Sequence, residues 1–209
     1  SSISSERLLD EFKKLIYSKN FLNLFKDDFS LEIINLIFPQ FKNLTIFKAL
    51  NNFAAKKLVE VDYIFLISLL ILDETDNVDY FLYKFNISKN DKKRVLFLKN
   101  FYKNNLNENA FSEKNLFKIM YYNGKQSLLD LLYFEIFKSK KINNKSINLL
   151  HFFEGKNVPI FPIKAKNLID KYDLTEGKVL GVKLKRIEEK WIDNDFKVSE
   201  KEISQIIES

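Results

Sequence analysis

Residues 5–16 read SERLLDEFKKLI and show a helical spacing that recurs through the chain. Their apolar side chains fall at positions 8, 9, 12, 15 and 16, which lie on one face of an α-helix. Ser4 or Ser5 is expected to cap this helix by accepting a hydrogen bond from a first-turn amide. Ser30 is expected to start a further helix, residues 31–38, in the same way. Residues 5–16 therefore predict an amphipathic helix that buries one face.

Similar helical segments follow along the chain. Residues 44–55 and 61–72 are predicted to form a packed pair of helices, and residues 113–122 and 127–138 are predicted to form two more. Gly124, between the latter two, is expected to adopt a positive φ and to end the earlier helix. No segment alternates convincingly like a strand, and 4 Gly and 3 Pro are few for the turns of a β protein. The predicted fold class is all-α, with many helices.

Composition excludes several classes of protein. A hydrophobic content of 46% rules out a disordered chain, because disorder requires too little apolar surface to offset chain entropy. The absence of Cys removes disulfides and cysteine zinc sites, and the single histidine, His151, leaves no pair for a metal centre. His151 is interpreted as structural. The apolar stretch 63–72 is about half the ~20 residues of a membrane span, so it predicts a core helix. We expect a cytoplasmic protein with no signal peptide and no membrane partner.

The charge balance points to an anionic partner. The formal net charge is +6 and the pI is about 9.2, which favours RNA, DNA or an acidic membrane surface over an acidic protein. The chain is also rich in Lys, Asn, Ile and Phe, as AT-rich coding produces. The charge therefore has a second interpretation, in which the lysines are solvated surface without a ligand.

Three segments near the C-terminus carry a resemblance to a known family. They read PIFPIKAKNL (159–168), LTEGKVLGVKL (174–184) and WIDNDF (191–196). In this order they resemble the C-terminal region of class II tRNA nucleotidyltransferases, the CCA-adding enzymes, and of bacterial poly(A) polymerases. That pattern runs Pro-x-x-x-x-Gly-x-Asp-Leu, then Pro-Gly-Pro-x-x-Gly-x-x-Leu, then a helix end with Trp. Here Ala165 and Asn167 replace the first Gly and Asp, which argues against a phosphate-binding first turn.

Matches continue upstream of these segments. They are Ser5-Glu6-Arg7-Leu8 with Glu11, Ile87-Ser88 with Asp91 and Arg94, and Gly124 with Asp130-Leu131-Leu132. The resemblance implies neck helices in residues 1–44, a helical body in residues 45–155 and a tail domain in residues 156–209. Trp191 is expected to anchor the tail helix.

The resemblance also implies where the chemistry would lie. Enzymes of this kind need two metal-binding carboxylates beside a Gly-rich strand and turn, and the chain has no such element. Asp193-Asn194-Asp195 has the carboxylate spacing without a preceding Gly pair, and it is interpreted as a helix terminus. The catalytic head, with Mg²⁺ and nucleoside triphosphates, is thus expected to precede Ser1 in the same polypeptide. The chain itself is expected to contribute no catalytic residue and no cofactor site.

A tRNA-binding surface is predicted in the tail. Lys178 and Lys185 are seven residues apart on one helix face, and Lys183 and Arg186 are three apart beside it. Gly177 leaves the first-turn amides of that helix accessible to a phosphate. These residues are predicted to hold the RNA backbone, so that the 3′ end is oriented for CCA, CC, A or poly(A) addition by the head.

A second basic cluster is predicted upstream. Lys92 and Arg94, with Lys93, lie at the start of a helix, where cations oppose the helix dipole and an anionic ligand would offset that cost. Aromatic pairs such as Tyr121 with Tyr122 are interpreted as core rather than as base-stacking rings. The alternative to RNA binding is a helical scaffold for protein partners, in which the basic faces have no RNA specificity.

Overall fold

The architecture is entirely helical across the described residues, which are 3–18, 20–73, 75–104 and 106–209 of a computed structural model. Within those ranges no strand occurs, and the all-α prediction is confirmed. The helices are α1 (Ser5–Ile16), α2 (Phe21–Leu24), α3 (Asp28–Ile37), a 3₁₀ helix (Leu44–Ala49), α4 (Asn52–Lys57), α5 (Tyr63–Ile71), α6 (Asn77–Lys84), α7 (Lys89–Asn104), α8 (Glu113–Lys138), α9 (Asn144–Glu154), α10 (Ala165–Tyr172), α11 (Lys178–Asp193) and α12 (Glu200–Glu208).

Helix α1 has Ser4, one of the two predicted caps, and it buries Leu9, Phe12 and Ile16 of the predicted face, while Leu8 is half-buried and Leu15 is exposed. The Ser4 hydroxyl accepts a hydrogen bond from the Arg7 amide at 3.3 Å, so the helix begins at Ser5. Phe12, on its apolar face, is buried with its ring centroid 5.0 Å from that of Phe38. Local spacing was sufficient to predict this element because its cap and its periodicity both lie within the segment.

Two predicted elements are wrong in detail. Helix α3 begins at Asp28 instead of at residue 31, because Asp27 is the cap and its carboxylate accepts from the Ser30 amide at 2.8 Å. Residues 44–55 do not form one helix. Leu50 is extended, with ψ 132°, between the 3₁₀ helix and α4. Asn51 then caps α4, and its side-chain Nδ2 donates to the Ile136 carbonyl at 2.9 Å, a tertiary contact that stabilises the interruption between the two helices.

Helix α5 lies in the centre of the larger core. Every residue from Ile64 to Ile71 is buried, which confirms the predicted core helix. Asp62 caps it by accepting from the Phe65 amide at 3.0 Å. In the part of the chain that the structure describes, no helix combines the length and the apolar character that crossing a bilayer requires.

The buried apolar residues form two clusters. The larger runs from Leu9 to Phe153, across the predicted boundary between residues 44 and 45. The smaller lies in the tail and contains Leu168, Leu180, Ile187 and Ile203. The division into neck, body and tail stays a prediction, with the body and tail each having a core of their own.

Trp191 joins the tail to the larger unit. It is 4% exposed, and its ring centroid is 5.5 Å from that of Tyr121 on α8 and 4.8 Å from that of Phe196. Lys118 Nζ, also on α8, lies 2.6 Å from Asp193 Oδ1. Lys114 Nζ on α8 lies 3.4 Å from Asp195 Oδ1. The two carboxylates of the Asp-x-Asp sequence at residues 193–195 thus both form ion pairs with lysines of α8.

Gly124 interrupts α8. Its φ of 83° and ψ of 159° are non-helical, so the helix divides there as the sequence predicted, although ψ lies outside the left-handed helical region. Only glycine adopts this combination without strain. Both halves of α8 pack in the larger core, and the half before Gly124 also carries Lys118 and Tyr121, which contact the tail.

Replacing Gly124 by alanine is expected to lower the free energy of unfolding by about 1–3 kcal/mol. Gly181 is the matched control, because it lies inside α11 without a positive φ, and alanine there is expected to raise stability by roughly 0.5–1 kcal/mol. Nothing lies within 4 Å of a Cβ at either position, so the difference reports backbone conformation. Urea unfolding followed by circular dichroism measures both, and equal changes would contradict the assignment.

Candidate nucleic-acid interface

The first turn of α11 is open to solvent. Gly177 is its N-cap residue, and no side chain in the described part of the chain caps the first-turn amides. Gly177 has φ 152° and ψ −171°, a combination that favours glycine, and residues 175–179 are all exposed. The first amides of a helix lack partners within the helix and attract anions. This end of α11 can therefore accept a phosphate oxygen.

Three of the predicted cations lie on the exposed side of α11. Leu180, Ile187 and Trp191 bury the opposite side of the helix. At about 100° per residue, Lys178 and Lys185 project within roughly 20° of each other, and Arg186 projects about 80° away. All three side chains are exposed. The structure thus brings Lys178, Lys185 and Arg186 onto one continuous surface.

Most of this positive charge is not neutralised by neighbouring acids. Among the described residues, the salt bridges of α11 include none from Lys178 or Arg186. Lys185 Nζ lies 3.8 Å from Glu189 Oε1, and both side chains are well exposed to solvent. A pair at that distance and exposure contributes little, so Lys185 can still reach an external anion.

Lys183 has an internal role that spacing alone does not reveal. Its Nζ donates to the carbonyl of Ile207 at 2.5 Å and to that of Ile206 at 3.5 Å, near the C-terminus of α12. Helix carbonyls at a C-terminus lack intrahelical partners and are stabilised by a cation. Lys183 therefore fastens α12 to α11, and its predicted contact with RNA stays a prediction.

Arg94 lies in a partly buried group of carboxylates between α7, α8 and the start of α5. Its Nε donates to Asp130 Oδ2 at 2.7 Å, and its Nη1 donates to Asp62 Oδ2 at 2.7 Å. Asp91 is 3.8 Å away. Three residues of the upstream family matches, Asp91, Arg94 and Asp130, thus meet in one ion-pair cluster. The guanidinium nitrogens of Arg94 thus already have carboxylate partners. RNA contact by Arg94 stays a prediction.

Burial dominates the electrostatics of this cluster. The Asp130 side chain is 2% exposed, and burial raises the pKa of its carboxyl while hydrogen bonds from Arg94 act in the opposite direction. Tyr63 donates to Asp91 Oδ2 at 3.1 Å, and burial together with the negative charge of Asp91 raises the pKa of Tyr63 to about 12. The cluster is built to hold three helices together.

Lys92 and Lys93 remain at the surface beside this cluster. Lys92 is half-buried and Lys93 is exposed, and neither has a salt-bridge partner among the described residues. Two exposed aromatic rings on the neighbouring helix, Tyr80 and Tyr83, were not predicted from the sequence. The helical spacing of the segment 77–84 could have indicated them, because a helix that buries Val78, Phe81 and Leu82 has positions 80 and 83 on its exposed side.

The aromatic pair on α8 is split between core and solvent. Tyr121 is half-buried against Trp191, and its hydroxyl donates to Glu188. Burial and this hydrogen bond raise the pKa of Tyr121 to about 12. Tyr122 is 64% exposed, so its assignment to the core was wrong, because Tyr121 alone takes the inward position. His151 is exposed, with its ring 5.9 Å from Phe53.

Across the described ranges, no group of three or more His, Asp or Glu side chains is arranged to hold a metal ion. Comparison with known proteins finds no family model and no curated protein that matches the chain. The resemblance to nucleotidyltransferases therefore stays a prediction.

Proposed function

We propose that this chain binds RNA through its phosphate backbone along the exposed side of α11. The observation that supports this proposal is the combination of Lys178, Lys185 and Arg186 on one exposed surface with an uncapped helix N-terminus at Gly177. Lysine and arginine side chains bind phosphates by charge, and first-turn amides add hydrogen bonds to a phosphate oxygen. The two features together suit a polyanion that follows the helix.

Within this proposal the chain is the RNA-binding part of an enzyme that adds nucleotides to an RNA 3′ end, as the resemblance implies. Its role is to hold the tRNA, or another RNA, so that the 3′ end is positioned for the reaction. Catalysis, Mg²⁺ and nucleoside triphosphates would belong to a catalytic head of the same polypeptide. The chain alone is then expected to bind RNA without extending it.

One observation favours the alternative of a protein-interaction scaffold. Helix α3 exposes Phe29 (69%), Ile33 (41%), Leu36 (81%) and Ile37 (41%), which follow one another at helical spacing. Exposed apolar patches of this kind mark protein contacts when they are contiguous. This face is remote in sequence from α11, so a protein contact at α3 and RNA binding at α11 are separately testable.

Charge reversal on α11 tests the proposed function. The triple variant Lys178→Glu, Lys185→Glu and Arg186→Glu is expected to bind a fluorescein-labelled tRNA-derived hairpin about 100-fold more weakly, because three phosphate contacts are lost. The slope of log K against log salt is expected to fall by about 2–3. Fluorescence anisotropy at several salt concentrations measures both quantities.

The control variant reverses three lysines elsewhere. Lys140, Lys141 and Lys145 lie between α8 and the first turn of α9, are exposed, and give the same change in net charge when replaced by Glu. This variant is expected to lose only a small part of the affinity. Equal weakening by both triple variants would show a non-specific charge effect and would refute an α11 site.

A further inference from the structure

Helix α6 presents two tyrosine rings to solvent. Tyr83 is 84% exposed and Tyr80 is 54% exposed, while Val78 and Phe81 on the same helix are fully buried. Lys84 Nζ lies 5.9 Å from the Tyr80 ring centroid. Among the described residues, neither an aromatic ring nor a cation stacks on Tyr83. Both faces of the Tyr83 ring are thus available to a ligand.

The chain reverses between α6 and α7, so the end of α6 and the start of α7 lie at the same end of the helix pair. Asn86 has φ 46°, and the Ile87 amide donates to the Leu82 carbonyl at 3.2 Å, so the chain reverses directly after α6. Lys99 Nζ on α7 lies 2.6 Å from Asp79 Oδ2 on α6. The side of α6 that carries Asp79 therefore faces the side of α7 that carries Lys99.

Helical spacing shows which other residues lie along the line of contact between α6 and α7, called the seam below. Tyr83 follows Asp79 by four residues and therefore lies on the same side of α6. Lys92 precedes Lys99 by seven residues and lies on the same side of α7. Because the chain reverses between the helices, Tyr83 and Lys92 both lie toward the end of the seam where α6 stops and α7 starts. Lys89 precedes Lys92 by three residues and shares this side of α7, whereas Lys93 projects about 100° away from Lys92.

The lysines at this end lack internal partners. Among the described residues no salt bridge involves Lys84, Lys89, Lys92 or Lys93, whereas Asp79 is paired with Lys99 and Asp91 with Arg94. Three of these lysines lie at the N-terminus of α7, where the helix dipole is unfavourable for cations. A bound anion would relieve that repulsion. Glu6 brings a negative charge to the edge of this surface, where its Oε1 accepts a hydrogen bond from the Asn86 side-chain Nδ2 at 3.2 Å.

We propose that this α6–α7 surface binds a single-stranded stretch of RNA, with an unpaired base stacked on Tyr83 and the adjoining phosphates on Lys89 and Lys92. An exposed ring next to unpaired cations is the combination that single-stranded nucleic acid requires. A duplex keeps its bases within its own stack, so only an unpaired base can use the Tyr83 ring. The proposal deepens the proposed RNA-binding function, on which it rests, by naming the form of RNA that a second surface takes.

Substitution of Tyr83 tests this surface without disturbing the core. Tyr83→Ala is expected to weaken binding of a fluorescein-labelled oligouridylate, about 12 nucleotides long, by about tenfold, because one base loses its stacking surface. Tyr83→Phe is the matched control and is expected to bind within about twofold of the unmodified protein, since stacking needs the ring and not the hydroxyl. Lys92→Glu is expected to weaken binding and to lower the salt slope by about 1. Fluorescence anisotropy measures all three.

The two RNA probes distinguish failure of this inference from failure of the proposed function. If the hairpin depends on α11 but the oligouridylate does not bind, or binds the Tyr83→Ala variant unchanged, the α6–α7 site is refuted and RNA binding at α11 stands. If the oligouridylate depends on Tyr83 but the hairpin binds the α11 triple variant normally, the α11 site is refuted instead. Equal loss in Tyr83→Ala and Tyr83→Phe would overturn base stacking.

Discussion

Replacement of Arg94 by methionine is expected to lower the free energy of unfolding by about 3–5 kcal/mol. Methionine preserves much of the length and apolar area of the side chain but removes every donor. Among the described residues, the hydrogen bond from Gln126 at 3.0 Å is the one that would remain to Asp130, which is 2% exposed. An uncompensated buried carboxylate is the main cost of breaking such a pair, and the lost contact to Asp62 adds to it.

The loss in Arg94→Met is expected to depend on pH. Burial already raises the pKa of Asp130 in the native state, and removal of the guanidinium raises it further. The pKa of this carboxyl is then higher in the folded protein than in the unfolded protein, so ionisation costs free energy only in the folded state. The penalty is therefore fully present above the folded-state pKa and shrinks as pH falls toward the unfolded value of about 3.9.

Urea unfolding of Arg94→Met between pH 7 and pH 5 measures this effect. Lys93→Met is the matched control, because it removes a neighbouring exposed cation and is expected to change stability by less than about 0.5 kcal/mol. The double variant with Asp130→Asn is expected to recover part of the loss, since no buried charge remains. A penalty that is small, or that grows at low pH, would contradict a structural role for this cluster.

Replacement of Trp191 by alanine is expected to cost about 3–5 kcal/mol, the range for removal of a buried large aromatic side chain. Its ring contacts Tyr121 on α8, Phe161 before α10 and Phe196 after α11, so one substitution weakens the junction from both sides. Helix α11 should then lose its fixed position on α8.

Circular dichroism is the appropriate measure of unfolding here, since the chain has 1 Trp and the variant loses that fluorophore. Tyr122→Ala is the control. It removes an aromatic side chain from the same part of α8, but Tyr122 is 64% exposed and a change of less than about 1 kcal/mol is expected. Equal losses in the two variants would show that Trp191 is not the anchor of the tail.

Features that depend on neighbouring residues in the chain were predicted well. The cap at Ser4, the buried run of α5, the interruption at Gly124 and the exposed side of α11 follow from spacing and local hydrogen bonding. The error over residues 44–55 has the opposite origin. Asn51 leaves the helical pattern because its side chain binds carbonyls at the end of α8, and no local signal encodes that contact.

The candidate site divides in the same way. Spacing alone was enough to place Lys178, Lys185 and Arg186 together, because residues on one helix face share their orientation wherever the helix packs. Tertiary structure alone decided the roles of Lys183 and Arg94. Their charges act on groups 23 to 36 residues away in sequence, and only the packing of other helices brings those carbonyls and carboxylates within hydrogen-bonding distance.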